Sequence, residues 1–193
     1  MRDIMASDSE KDQKKQRQDQ RIIHINIVIG VILLACYLMF AVYFPFPKLH
    51  LPTLLDRVVF TLRCLVVSLL AIIGGIMAVA SKRYGTPAIN PLDPSGKKFT
   101  EQRQMYLQNT LEQFLVHSFC LMGLSTYLPE EKMHWIPLLV ALFVIGRALF
   151  FVGYAIDPMK RSVGFGLTWL PTVAVSGYCL YCMCVYGVQA PVN

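Results

Sequence analysis

The chain is poor in charged residues, and this scarcity excludes most soluble folds. Of its 193 residues, 16% are charged and 55% are hydrophobic, whereas soluble domains carry about 25% charged residues. Such an apolar composition also excludes an intrinsically disordered chain, which needs low hydrophobicity. Six cysteines in this length are too sparse for a small disulfide-stabilised scaffold. The composition therefore predicts a polytopic integral membrane protein whose main partner is the lipid bilayer.

The apolar runs are continuous, which favours membrane-spanning helices. Transmembrane β-strands would instead alternate in segments of about ten residues. Four runs have the length of about 20 residues that a spanning helix needs, and they cover residues 22–44, 58–80, 135–154 and 165–188. A fifth segment, 102–128, carries polar residues and is predicted to be an amphipathic spanning helix. We expect an all-α membrane protein with five transmembrane helices, preceded by a charged tail at 1–21.

The distribution of lysine and arginine predicts the orientation, since basic residues accumulate in cytosolic loops. The N-terminal tail and the segments after the second and fourth helices carry 13 of these residues, against 3 on the opposite side. The N-terminus should therefore be cytosolic and the C-terminus lumenal or extracellular. Because this charge lies in short juxtamembrane pieces rather than on a folded basic face, no nucleic-acid partner is expected.

All six cysteines fall inside predicted spans, at positions 36, 64, 120, 179, 182 and 184. An apolar helix lacks the cationic, partly exposed surroundings that make a thiol reactive. We interpret these cysteines as small packing residues and expect no metal site.

Charged side chains inside a membrane are costly and mark candidate sites. The spans contain Arg63, Glu112, His117 and Arg147. From helix rise, Glu112 lies about 13 Å and Arg147 about 15 Å from the cytosolic ends of their helices. Because a lone buried charge is strongly destabilising, this matching depth predicts an Arg147–Glu112 ion pair that is at least partly architectural.

Polar residues of the third helix form one narrow stripe with Glu112 at its flank, made of Gln102, Tyr106, Asn109, Gln113 and His117. Such a stripe either joins helices by hydrogen bonds or lines a binding site. On the fourth helix, Arg147 and Tyr154 share one face, and Arg161 follows in a short basic turn. A pocket of these residues would suit an anionic or thiol-bearing small molecule, because guanidinium groups pair with carboxylates and favour thiolates.

These motifs resemble the MAPEG family, the membrane-associated proteins of eicosanoid and glutathione metabolism. The matching pieces are the N-x-x-E of 109–112 preceded by Glu101, the run GRALFFVGY of 146–154, and PMKR ending at Arg161. The resemblance covers about 58–188 and leaves the first helix as an addition to the usual four. It implies a four-helix bundle, a homotrimer, and glutathione held on the cytosolic side between subunits. A five-helix member of this kind implies endoplasmic reticulum, Golgi, secretory or endolysosomal membranes.

The resemblance also implies roles for individual residues. Arg161 takes approximately the place of the arginine that stabilises the glutathione thiolate, and it is the one catalytic candidate. The positions implied to hold glutathione are Asn109, Glu112, Arg147, Tyr154, Lys82 and Arg83. Gln113, from the polar stripe, is added as a further ligand-binding candidate.

Two positions depart from the family pattern. Met105 replaces a glutathione-binding arginine, and Phe150 replaces a tyrosine or histidine that a synthase of the family has. A lost charge-assisted hydrogen bond is worth about 1.5–3 kcal/mol, so the departure at Met105 argues against full activity.

Three functional hypotheses stay open at this point. The first is a membrane protein with a weak glutathione pocket that acts through protein partners or lipids. The second is an active glutathione transferase or peroxidase towards lipophilic electrophiles. The third is a proton- or ion-conducting bundle, suggested by Glu112, His117 and the two arginines, although the broken helices common in transporters are missing.

Overall fold

The structure is a computed structural model that describes residues 2–47, 49–90 and 92–187. Five long helices account for most of them, and no strand occurs in these ranges. The helices are α1 Arg2–Tyr43, α2 Leu54–Arg83, α3 Lys97–Tyr127, α4 Trp135–Ile156 and α5 Ser162–Tyr186. The predicted all-α class is confirmed. The predicted last span ends at Val188, and this final residue lies outside the described residues, as does Met1 of the predicted tail.

Among the described residues, four segments are long and apolar enough to cross a membrane, namely Gln13–Tyr43, Leu54–Arg83, Glu130–Ile156 and Ser162–Tyr186. They make the protein a multi-pass membrane protein. The fifth predicted span exists as the 31-residue helix α3, whose polar residues keep it outside this set. That α3 also crosses the membrane stays a prediction.

Helix α3 runs antiparallel along the whole of α2 and is fastened to it at both ends. Near the predicted cytosolic end, Arg103 donates to the carbonyl oxygen of Ala78 at 3.0 Å. At the opposite end, the buried Arg57 donates to the carbonyl oxygen of Leu128 at 2.7 Å. This bond satisfies a carbonyl group at the C-terminus of α3 that has no partner within the helix.

Helix α1 is longer than predicted, since it continues through the charged tail to Arg2. The tail has no proline or glycine and many good helix formers such as lysine, arginine and glutamine, which explains why it does not uncoil. Its residues 13–21 are nearly all exposed, in agreement with a solvated segment. Within the bundle, α1 packs along α5.

The connection between α2 and α3 is rich in proline and glycine, and the sequence predicts a loop there. It contains two 3-10 turns, Pro87–Ile89 and Pro94–Gly96. A Cβ atom on Gly96 would lie 2.5 Å from the Cα of Ala88, so the turns can pack together only because this residue is glycine. Hydrogen bonds from Ser95 lower the pKa of the Asp93 carboxyl.

Apolar and polar residues separate along the bundle. The main apolar cluster lies where α3 ends and α4 begins, and it consists of Leu65, Leu121, Leu124, Leu128, Met133, Ile136 and Val140. A smaller aromatic cluster of Tyr106, Phe150 and Tyr154 lies in the predicted cytosolic half. The bundle is therefore held together by aliphatic packing at one end, and the candidate site occupies the other.

Candidate functional site

A cavity of about 540 Å³ opens in the predicted cytosolic half. Helices α1, α3, α4 and α5 and the turn between α4 and α5 form its walls. Its lining residues are Ile23, Met105, Gln108, Asn109, Glu112, Phe150, Pro158, Met159, Arg161, Ser162 and Phe165. Three of the predicted site residues, Asn109, Glu112 and Arg161, are thus brought to one cavity.

Arg161 stands at the start of α5 and supplies the positive charge of the cavity. Its guanidinium carbon lies 4.9 Å from the centre of the Tyr154 ring, a typical cation–π distance. In the described part of the chain, this guanidinium makes no hydrogen bond and no ion pair. Its donors are therefore available to an anion in the cavity.

The turn that carries Arg161 has a fixed shape. The Asp157 carboxylate accepts a hydrogen bond from the backbone N–H of Met159 at 2.7 Å. A Cβ atom on Gly153 would lie 2.7 Å from the carbonyl oxygen of Lys160, so the turn can fold back on α4 only where α4 has a glycine. This explains the need for the glycine of the VGY sequence.

Tyr154 lies directly behind the cavity and does not line it. Its hydroxyl donates to the Sδ atom of Met105 at 3.6 Å, and its carbonyl oxygen accepts from Gln102. Because a thioether is a weak acceptor, the hydroxyl gives up little when it turns to another partner. Tyr154 both supports Arg161 through its ring and keeps a weakly held donor next to the cavity.

Asn109 and Glu112 line the same wall but differ in their partners. The Asn109 side-chain oxygen accepts from Arg147 Nη1 at 2.8 Å, which leaves its amide group as a donor. Glu112 is exposed on α3 and accepts a bond from Gln108 Nε2 at 3.1 Å. The wall therefore offers an amide donor and a carboxylate.

The predicted Arg147–Glu112 ion pair is wrong. Arg147 is fully buried and donates to neutral partners, with Nη1 on Asn109 and Nη2 on Thr168 Oγ1 at 2.5 Å. The ring of Phe150 lies 4.7 Å from its guanidinium carbon. Helix rise gives similar depths for Arg147 and Glu112, but Asn109 and not Glu112 is the α3 side chain that contacts Arg147. Arg147 sits behind Asn109 and does not line the cavity.

The other residues predicted to bind the ligand do not line this cavity within a single chain. Arg83 lines a second hollow of about 270 Å³ beside the α2–α3 loop, together with Asn90, Asp93 and Lys97. Lys82 is exposed near the end of α2. Gln113 is buried one turn further along α3 than Asn109.

The predicted polar stripe of α3 does face other helices at most of its positions. His117 is buried and stacks on Phe143 with ring centres 4.4 Å apart. Glu112, by contrast, is exposed. The two titratable groups therefore have different surroundings in one chain, and the ion-conducting bundle stays an untested hypothesis.

Sequence reasoning missed the partner of Arg147 and one wall of the cavity. Thr168 lies seven residues after Arg161 on α5, so helical periodicity alone places both on one face. Gln108 precedes Glu112 by four residues and could have been found in the same way. Nothing in the sequence of α1 marks Ile23, an isoleucine in an apolar run, as a residue of the site.

The cavity offers one cation, one carboxylate, amide groups and a hydroxyl within a partly apolar wall. This set suits a small molecule that carries both a positive and a negative group. No cluster of potential metal ligands occurs in the residues that the structure describes.

Comparison with known proteins agrees with the motifs. The family model described as MAPEG family matches residues 58–181. The chain belongs to the MAPEG family. It is also 34% identical over 161 residues to mouse Transmembrane protein 79, and 33% identical over 157 residues to the cattle protein of that name, which is also called mattrin.

The curated relatives are much longer than this chain. The matches cover 83% and 81% of the chain but 41% of the mouse and 40% of the cattle protein. The chain thus spans about 40% of the length of these relatives. No solved structure matches the chain significantly.

Proposed function

We propose that this MAPEG-family protein, of mattrin type, binds glutathione weakly in the 540 Å³ cavity and acts in secretory or endolysosomal membranes through protein partners or lipids. The observation that carries the proposal is the Arg161 guanidinium, which faces the cavity with its hydrogen-bond donors unused in the described part of the chain.

The groups of glutathione and of the cavity complement each other. Arg161 would pair with the thiolate or a carboxylate, and Glu112 would pair with the α-amino group. Asn109 and Gln108 would bind the peptide groups. The cavity volume of about 540 Å³ lies within the roughly 300–1,000 Å³ of ordinary small-molecule sites.

The same geometry supports weak rather than tight binding. Glutathione has two carboxylates and a thiol, and Arg161 is the single cation among the described lining residues. Met105 takes the place of the family's arginine. Arg147 already donates hydrogen bonds to Asn109 and Thr168. Few charge-assisted bonds remain to hold the anionic groups.

A homotrimer would complete this site. Glu112 and Gln108 lie on the exposed side of α3, and polar groups there would be costly against lipid. A second copy that packs on this side would cover them and could bring its own Lys82 and Arg83 towards the ligand. The attachment of α3 to both ends of α2 supports α3 as a fifth spanning helix inside such an assembly.

The charge distribution supports a cytosolic N-terminus and therefore a cytosolic cavity, since 13 of the basic residues in the flanks lie on that side. Glutathione is abundant in the cytosol. The proposed orientation thus places the cavity where its ligand is available.

The second candidate function is an active glutathione transferase or peroxidase. The position of Arg161 over the Tyr154 ring favours it, because a cation beside the thiol stabilises the thiolate nucleophile. In this function Arg161 is the catalytic residue, and the apolar side of the cavity would receive the electrophile.

The test is a titration of the purified protein in detergent with glutathione, monitored by the near-ultraviolet absorbance of the bound thiolate. S-methylglutathione, which has no thiol, separates binding from thiolate formation when it is used as a competitor. The matched control for Arg161→Ala is Lys160→Ala, since the neighbouring lysine is exposed and does not line the cavity.

We expect a saturable signal at millimolar glutathione that Arg161→Ala abolishes and Lys160→Ala leaves unchanged. A signal of equal size in Arg161→Ala would refute the assigned role of this arginine. Turnover of a lipophilic electrophile such as 1-chloro-2,4-dinitrobenzene, dependent on Arg161, would establish the transferase function instead.

A further inference from the structure

Helix α1 lies outside the segment that defines the family, yet it reaches the candidate cavity. The family match begins at residue 58. Only 136 residues remain from Val58 to the end, so the match of 161 residues to the mouse relative includes at least 25 residues before Val58. Similarity to these relatives therefore extends into the region of α1 and its following loop.

Three contacts hold α1 against the bundle. The Asn26 side chain donates to the carbonyl oxygen of Met159 at 3.2 Å. Gly30 faces α5 so closely that a Cβ atom there would lie 3.4 Å from the carbonyl oxygen of Val163. The Tyr37 hydroxyl donates to the carbonyl oxygen of Leu138 at 2.7 Å. Helix α1 is thus fixed over about 16 Å of its length, from helix rise.

The contact made by Asn26 bears directly on Arg161. Its acceptor belongs to Met159, two residues before Arg161 in the α4–α5 turn, and the same oxygen accepts from Ser162 Oγ at 2.8 Å. Asn26 is itself nearly buried, with 9% of its surface exposed. One turn before it, Ile23 forms part of the cavity wall beside Met159.

We propose that α1 is part of the ligand site. Asn26 is a positioning residue that fixes the turn carrying Arg161, and Ile23 closes the cavity on the side of α1, whose outer face is apolar and exposed. The ligand therefore does not enter from the bilayer across α1. The identity of the ligand rests on the function proposed above, whereas the role of α1 is testable without glutathione.

The first experiment measures the rate of limited trypsin cleavage after Lys160 and Arg161 in the full chain in detergent. Asn26→Leu removes the bond to the turn and should raise this rate about three- to tenfold, as expected for loss of one buried hydrogen bond. Tyr37→Phe is the matched control, because it removes the other polar link of α1 far from the turn, and it should leave the rate unchanged.

Two results of this experiment would overturn the positioning role. One is an unchanged cleavage rate in Asn26→Leu, and the other is an equal rise in Tyr37→Phe. If Asn26→Leu does not fold, Asn26→Ala removes the same donor without adding a larger apolar side chain, and the same criteria apply to it.

The second experiment places tryptophan at two positions of α1 in vesicles whose lipids carry bromine on the acyl chains. Bromine quenches tryptophan that touches lipid, so Ile25→Trp, at a position with 60% exposure, should be quenched strongly. Ile23→Trp should be quenched at most half as much, after subtraction of the signal of Trp135 and Trp169. Equal quenching at both positions would refute a cavity wall at Ile23.

A glutathione titration then separates this proposal from the one on which it rests. Ile23→Trp fills the cavity and should weaken binding at least tenfold, whereas Ile25→Trp should not change it. If the wild type binds no glutathione, the proposed ligand is wrong, and the cleavage and quenching results still decide the role of α1.

Discussion

The buried Arg147 gives the sharpest test of how this bundle tolerates a charge. Arg147 is fully buried, and Thr168 Oγ1 accepts from its Nη2 at 2.5 Å. Thr168→Val keeps the shape of the side chain and removes this acceptor. Hydrogen bonds to charged groups contribute about 1.5–3 kcal/mol. For a chain of this size, that cost corresponds to a fall in melting temperature of about 3–12 °C.

The matched control is Thr172→Val, one turn further along the same helix. Thr172 is equally buried, but its hydroxyl donates only to the backbone carbonyl oxygen of Thr168 at 2.7 Å. This substitution should cost less than about 1 kcal/mol. The assay is thermal unfolding of the purified protein in detergent, followed by intrinsic fluorescence and by soluble fraction.

A double-mutant cycle with Arg147→Met isolates the pair. Once the cation is gone, the loss of the threonine acceptor should cost little, so the double variant should be more stable than the sum of the two changes by about 1 kcal/mol or more. Equal shifts for Thr168→Val and Thr172→Val, or strict additivity in the cycle, would refute the reasoning.

Three further predictions follow from single contacts. Gly153→Ala should displace the α4–α5 turn, since its Cβ would lie 2.7 Å from a backbone oxygen, and glutathione binding should fall at least tenfold while far-ultraviolet circular dichroism stays helical. Arg57→Met should lower the unfolding temperature by removing the bond that caps α3, whereas Arg63→Met, at an exposed position, should change it little; equal effects would contradict the capping role. Met105→Arg should add a cation to the cavity wall and tighten glutathione binding about tenfold, and Gln108→Arg, on the same wall, tests whether any added cation does so.

The helices were predictable because membrane spans are set by long apolar runs. Their ends were not, because polar residues decide where a helix stops. Helix α2 begins four residues before the predicted span, at a capping box formed by Thr53 and Asp56. Helix α1 continues to Arg2 because nothing in the tail breaks it. An apolar run therefore locates the membrane-embedded part of a helix. The residues at which the helix begins and ends depend on capping and helix-breaking residues outside that run.

The candidate site was predictable in part for a related reason. Spacing along a helix placed Asn109, Glu112 and Arg161 towards the same end of the bundle, and they line one cavity. Spacing also gave the depth of Arg147, but depth leaves the rotation of α3 about its axis undetermined. Tertiary packing decides that rotation, and it turns Asn109 rather than Glu112 towards Arg147.

The neutral partners of Arg147 have a consequence for the cavity. A carboxylate partner would cancel most of the charge of Arg147 at a distance, whereas an amide and a hydroxyl only solvate it. The electrostatic field of this cation therefore persists, and in a region of low dielectric constant it falls off slowly.

Because Asn109 both receives the bond from Arg147 and lines the cavity, its amide is polarised with the positive end free for a ligand. An anion in the cavity would be attracted directly by Arg161 and through Asn109 by Arg147, although Arg147 never touches it. If the proposed anionic ligand binds in the cavity, the buried Arg147 would offset part of the positive charge that is lost where Met105 stands in place of the arginine implied by the family resemblance. A cavity with a single exposed cation would then still select for negatively charged ligands.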